Sequence, residues 1–266
     1  MTTTLAIANQ KGGVAKTTSV ASIGAALVEL GHTVLLVDLD PQACLTFSLG
    51  IDPEDLDLSL HHVLTKGLAP GEAILETDDG VDLLPATIEL ARAEADLLTR
   101  TGREHVLAGA LADLAESGRA YDWVLLDCPP SLGVLTVAAL TAADGVLVPL
   151  QCETLSHRGV GQLLDTVHDV RRFTNRSLEV WGVLPTLYDG RTTHARTVLE
   201  TISETYDLAV IGPPIPKTIR FAEAPAAGRS ILRTSRSSKG AKAYREVAGT
   251  LVARAGGGPK KRPAAR

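Results

Sequence analysis

Residues 5–18 read LAIANQKGGVAKTT: an apolar run, a pair of glycines, then a helical pattern opening on Lys-Thr-Thr. Gly12 and Gly13 leave room for backbone N–H groups to approach a phosphate oxygen where a Cβ would obstruct. Lys16 supplies positive charge, Thr17 a hydroxyl for a magnesium ion, and Val14, Ala15 and Thr18 complete the predicted cradle. The common phosphate-loop pattern G-x-x-x-x-G-K-[ST] is not met, because Gln10 and Ala15 occupy its two glycine positions. What remains is a K-G-G-x-x-K-[ST] form, with Lys11 ahead of the glycines.

Working outward, the strand-like run at residues 3–8 precedes the loop. A helix over residues 16–30 follows, with Val20, Ile23, Leu27 and Leu30 at helical spacing and Gly31 at its C-terminal cap. Continuous apolar runs recur at residues 33–38, 123–127, 145–150, 178–184 and 208–211, as suits parallel strands buried on both faces. Helical patterns at 104–116, 159–173, 193–206 and 239–255 lie between or after them. The alternation predicts a doubly wound, mostly parallel α/β sheet that binds its ligand at the carboxyl ends of the strands. Residues 52–82, acidic and loop-rich with one short helix near 59–65, are expected to form a surface excursion. One domain over residues 1–255 and a basic, disordered tail at 256–266 (GGGPKKRPAAR) complete the expected organisation.

Asp38, Asp40 and Asp127 each close an apolar run, where such a sheet directs them at the phosphate loop. A carboxylate there holds magnesium or orients an attacking water, because phosphoryl transfer depends on positioning and charge neutralisation. The three cysteines, Cys44, Cys128 and Cys152, are scattered, which argues against a disulfide framework and against a zinc site. No apolar run approaches the ~18 residues of a membrane span, so the expectation is a soluble, cytoplasmic protein. The net charge of −5 is unevenly spread: from residue 212 onward thirteen Lys/Arg face two acidic residues. A balance of +11 there leaves −16 elsewhere, a polarity that predicts a basic face for DNA on an acidic body.

The K-G-G-x-x-K-T segment resembles the deviant phosphate loop of the ParA/MinD family of dimerising ATPases. So do VLLVDLDPQ (34–42), VLLDCPPSLG (124–133), LLPAT (83–87), VPLQCE (148–153), LYDGRT (187–192), IPKTIRFAEAP (215–225) and KGAKAY (239–244). The matches span almost the whole chain, so the expectation is a ParA-type partition ATPase without an added N-terminal DNA-binding domain. The resemblance implies that Lys11 reaches the partner subunit's nucleotide, that Asp40 positions the hydrolytic water, that Thr17 ligates magnesium and that Asp127 supports it. Pro216 joins the implied ATP contacts, with Mg2+ as the accompanying ion. It further implies an ATP-bound homodimer that grips double-stranded DNA without sequence preference through Arg191, Lys217 and Arg220. A ParB-like partner would then stimulate hydrolysis on the nucleoid.

Two departures stand out: Ala43-Cys44 replaces the usual Gly-Asn after Asp40-Pro-Gln42, and Ser156-His157-Arg158 replaces small and acidic residues before Gly159. Three other readings stay open on sequence. They are positioning of a protein cargo on the nucleoid, a MinD-like membrane-associated ATPase, and a relative of the nitrogenase iron protein. The basic end of this chain offers no apolar face for a membrane, and its cysteines lack the pattern of a cluster-bridging pair.

Overall fold

The structure, a computed structural model, describes residues 2–153 and 156–256. The expected tail at 256–266 therefore lies, beyond Gly256, outside the described residues. The strands are β1 (Thr3–Ile7), β2 (Val34–Asp38), β3 (Leu75–Glu76), β4 (Asp82–Leu84), β5 (Trp123–Asp127), β6 (Gly145–Gln151) and β7 (Glu179–Thr186). They form one sheet in the order β3-β4-β2-β5-β1-β6-β7, parallel throughout except for the edge pair β3–β4.

The connecting helices are α1 (Lys16–Glu29), α2 (Cys44–Ser48), α3 (Leu60–Lys66), α4 (Pro70–Ala73), α5 (Leu90–Leu98), α6 (Val106–Glu116) and α7 (Val134–Ala142). Then come α8 (Ser156–Phe173), α9 (Thr193–Tyr206), α10 (Arg220–Glu223), α11 (Ile231–Thr234) and α12 (Lys239–Arg254). Successive residues of a strand point to opposite faces, and both faces here are covered. Leu5 and Ile7 of β1 pack with Ile23, Leu27, Tyr244 and Leu251 of α1 and α12, while Ala6 and Ala8 join Leu60, Leu90, Leu135 and Val160 of α3, α5, α7 and α8. That double burial is why the strands read as unbroken apolar runs.

Two expectations are revised. The run at 208–211 makes only an isolated bridge between Val210 and Val183, because Gly212-Pro213-Pro214 follows and proline removes ladder donors. The segment 52–82 is not merely an excursion. Leu60, Leu64, Ala73 and Ile74 are buried in the core, and the adjoining β4 extends the sheet beside β2. Strand β4 has three residues, too few for alternation to register.

The basic C-terminal region is largely consumed in docking. Arg229 pairs with Asp78, Arg233 with Asp79, Arg236 and Arg245 with Glu29, and Arg254 with Glu179. Arg220 pairs locally with Glu223. The charge imbalance read along the chain therefore acts in large part as attraction between α11–α12 and the acidic N-terminal body. It is a weaker pointer to DNA than the linear count suggests.

Candidate nucleotide site

The loop between β1 and α1 is held open by its own backbone geometry. Gly13 has φ 72° and Ala15 has φ 62°, two left-handed residues on either side of Val14. Glycine adopts that region freely; alanine does so at a cost of roughly 1–2 kcal/mol. Two staples fix the loop. Asn9 donates its amide to the Pro149 carbonyl at 2.7 Å and accepts the Lys11 N–H at 3.0 Å, and the buried Thr186 hydroxyl donates to the Val14 carbonyl at 2.9 Å. Val14 itself is buried, so it anchors the loop rather than presenting a side chain to a ligand.

A cavity of about 720 Å³ opens above this loop, lined by Gly12, Gly13, Ala15, Lys16, Thr17, Thr18 and Asp40. Leu187, Ile215, Lys217, Ile219 and Phe221 also line it, a mainly apolar set of the kind that receives a planar base. Lys16 is nearly buried and curls beneath the loop to donate to the Lys11 carbonyl at 3.2 Å. Burial lowers its pKa, and the nearby charges of Asp127 and Asp40 work against that shift.

Asp38 and Asp127 lie opposite each other at the carboxyl ends of β2 and β5, both fully buried. Asp38 accepts from the Thr46 N–H at 2.9 Å, the Thr46 hydroxyl at 2.8 Å and the Asp40 N–H at 3.2 Å. Asp38 is thus a structural brace for the loop that carries Asp40. Neither carboxylate oxygen of Asp127 makes a sound hydrogen bond among the described residues. Its pKa is raised well above the ordinary value by burial and then by Asp38, with the neighbouring Thr17 hydroxyl and Lys16 opposing.

An unsatisfied buried carboxylate beside a threonine hydroxyl, with Asp40 on the same cavity, suits a hydrated magnesium ion. That ion keeps several waters and takes only one or two carboxylates alongside substrate phosphates. Among the described residues no group of three or more His, Cys, Asp or Glu is arranged to hold a metal.

Lys11 departs from this inward arrangement. Its side chain turns away from the cavity to an ion pair with Glu153 at 2.5 Å and lines a separate depression of about 480 Å³ with Asn9, Gln10, Pro130, Arg158 and Gln162.

The DNA-facing residues named from sequence are brought partly together. Tyr188 and Pro216 form a bridge, and the Tyr188 N–H donates to the Ile215 carbonyl at 2.9 Å, so the segments carrying Arg191 and Arg220 run side by side. The Arg191 side chain is 90% exposed and forks onto Asp189. Lys217 precedes α10, which begins at Arg220, and lines the nucleotide cavity. Pro216 is flanked by two lining residues, Ile215 and Lys217.

Sequence reading missed Asn9, Thr186 and the apolar wall. Thr186 follows the run at 178–184 by two residues, and only the register of β7 reveals that it reaches the loop.

The chain matches the model of the AAA domain over residues 2–180. It is 40% identical to the sporulation initiation inhibitor protein Soj of Bacillus subtilis, over 94% of this chain and 98% of that protein. It is 39% identical to the chromosome partitioning protein ParA of Caulobacter vibrioides, over 94% of each. Among solved structures it superposes on the cobyrinic acid a,c-diamide synthase of Mycobacterium smegmatis with bound ADP and magnesium. There the TM-score is 0.86 with 55% identity, and all of both chains is covered.

Proposed function

Because the chain belongs to the ParA-type partition ATPases, the deviant-loop branch of the P-loop NTPases, we propose that it is an ATP-driven dimerising switch that holds double-stranded DNA while nucleotide is bound. ATP with Mg2+ occupies the cavity above the loop. Gly12, Gly13 and Thr18 surround the phosphates with backbone amides, Lys16 balances their charge from below, and the base lies toward Ile215 and Phe221. Thr17 would hold the magnesium ion, with Asp127 and Asp40 placed to support it. Magnesium, when bound, neutralises charge on the transferring phosphoryl group. Asp40, on the cavity and kept in place through its backbone bond to Asp38, orients the attacking water.

The observation that carries the reading is the divergence of the two loop lysines. Lys16 turns in, under the cradle, whereas Lys11 turns out of the cavity to Glu153, where it is free to meet a second copy. In the closed dimer Lys11 leaves Glu153 for the partner subunit's phosphates. Arg191 and Arg220, on adjoining segments next to the base end of the cavity, then contact the DNA backbone. A planar guanidinium fork suits phosphate. A ParB-like partner accelerates hydrolysis and release, and the cargo is chromosomal or plasmid DNA.

The similarity to a protein named for amide synthesis offers a second reading, in which ATP activates a carboxylate. Phosphate release that requires an added carboxylic acid would favour it. Cargo positioning leaves the chemistry unchanged and differs only in the adaptor. Among the described residues no helix is long and apolar enough to cross a membrane, and vesicle flotation with ATP tests surface attachment.

The deciding experiment is fluorescence anisotropy of a random-sequence duplex at fixed salt, with AMPPNP or ADP. Tight binding only with AMPPNP, weakened by Lys16→Ala and by Arg220→Ala, is the expected result. The salt dependence of log K should have a slope of about 0.9 per phosphate neutralised. Equal binding in both nucleotides, or none, overturns the reading.

A further inference from the structure

The first turn of α8 comes close to the phosphate loop at Gly159. A Cβ added at Gly159 would lie 3.2 Å from the Asn9 side-chain oxygen and 3.9 Å from the Lys11 nitrogen. That is the same asparagine whose amide fixes the loop to Pro149. The Ser156 hydroxyl ties the turn to the Gln151 carbonyl. Arg158 is thereby held at a fixed place on the face that carries Lys11, and it lines the same depression.

The charges on this face do not cancel. Lys11 is neutralised by Glu153, whereas Arg158 is exposed and makes no ion pair among the described residues. The amino end of α8 adds partial positive charge to the same spot. Two such faces brought together across a two-fold axis repel, unless a polyanion lies between them.

We propose that Arg158 is a positioning residue that acts across the subunit interface. It contacts the phosphates of the nucleotide held by the partner subunit, beside Lys11, and it makes closure of the dimer conditional on that nucleotide. This rests on the nucleotide-bridged dimer proposed above. A charge-assisted bond to phosphate is about twice as strong as a neutral one, enough to move a dimerisation constant by about ten-fold or more.

The test is dimerisation measured by analytical ultracentrifugation with AMPPNP, with ADP and without nucleotide, for wild type, Arg158→Ala, Arg158→Lys and Arg158→Glu. Nucleotide affinity of the monomer is measured in parallel by titration with a fluorescent ADP analogue. Expected are at least a ten-fold loss of AMPPNP-driven dimerisation in Arg158→Ala, partial rescue in Arg158→Lys, and unchanged monomer affinity for the ADP analogue. Arg158→Glu should dimerise more readily than wild type without nucleotide. If wild type dimerises with AMPPNP and Arg158→Ala does so equally well, the inference is overturned while the functional reading stands. If wild type itself does not dimerise, the functional reading fails. A loss in Arg158→Ala accompanied by an equal loss of monomer affinity assigns the arginine to its own subunit's site and also overturns the inference.

Discussion

Asp38 and Asp127 stand in register at the carboxyl ends of adjacent strands, both fully buried, and Asp38 adds to the cost of ionising Asp127. Asp38 is compensated by three hydrogen-bond donors; neither oxygen of Asp127 has a hydrogen-bond partner among the described residues. The pair thus stores unfavourable charge at the point where a cation and a nucleotide are expected to bind. Ligand binding and stability are coupled there.

Burial pushes Asp38 up to about 6 and Asp127 well above its ordinary 3.8. The folded state therefore binds more protons than the unfolded one, and stability falls as pH rises from about 4 through the raised values. Asp127→Asn removes a buried carboxyl whose ionisation the fold penalises. It should raise the melting temperature of the ligand-free protein at pH 7.5 by roughly 2–4 °C per kcal/mol recovered and abolish the extra stabilisation that Mg2+ gives in the presence of ADP. A variant that melts lower than wild type without ligand, measured by calorimetry, contradicts this account.

The two loop glycines separate backbone strain from ligand access. Neither would bring a new Cβ within 4 Å of another atom, yet only Gly13 has a positive φ, 72°. Gly13→Ala should cost about 1–2 kcal/mol of stability. Gly12→Ala should leave stability within about 0.5 kcal/mol, as for an unobtrusive surface change, and still weaken ADP binding because its methyl group enters the cradle. Urea melts and nucleotide titration on the two variants check both halves; equal stability losses would refute the division.

The order of strand, glycine loop and helix was legible because each step has a local cause: apolar runs for strands, paired glycines for the turn, and helical spacing of Val20, Ile23 and Leu27 behind Lys16. The three aspartates were legible because each ends a run. The apolar wall was not. Leu187, Ile215 and Phe221 come from segments that meet only through the Tyr188–Pro216 bridge, and no local pattern encodes that meeting. The linear charge count misled for the same reason, since the acids that absorb Arg233 and Arg245 lie more than 150 residues away at Asp79 and Glu29. Ala43 shows a departure gaining a physical meaning. It adopts φ 52°, a region where the glycine usual at that place carries no penalty.

Glu29 should prove the main clasp on α12. It accepts two hydrogen bonds from the Arg245 guanidinium and lies 3.8 Å from Arg236, and those bonds lower its pKa. For a lowered carboxylate the stabilisation is present above the ordinary 4.5 and is lost as pH falls through the lowered value. The pair is partly exposed, so Glu29→Gln should cost only about 1 kcal/mol at pH 7. The difference from wild type should vanish in acid and shrink in 1 M salt. Denaturant melts across pH read it directly; a deficit that persists unchanged in acid would show that shape rather than charge holds the helix.

Asp189 governs how much of Arg191 is available to DNA. The two hydrogen bonds from the guanidinium, with one from the Arg191 N–H, pull the Asp189 carboxyl down to about 2. The carboxylate is therefore ionised at any working pH and cancels the arginine's charge before a phosphate arrives. Asp189→Asn keeps an acceptor for the Arg191 N–H but removes the competing charge. With AMPPNP bound, it should tighten duplex binding by about two- to five-fold at low ionic strength and steepen the salt dependence, since a further counterion is released for each phosphate contacted. Arg191→Ala should weaken binding, and Asp189→Asn added to Arg191→Ala should restore almost nothing, because the aspartate acts through that arginine. Tighter binding in the double variant than in Arg191→Ala, measured by anisotropy on the same duplex, would place the effect in the general charge of the surface and remove Arg191 from the DNA contact.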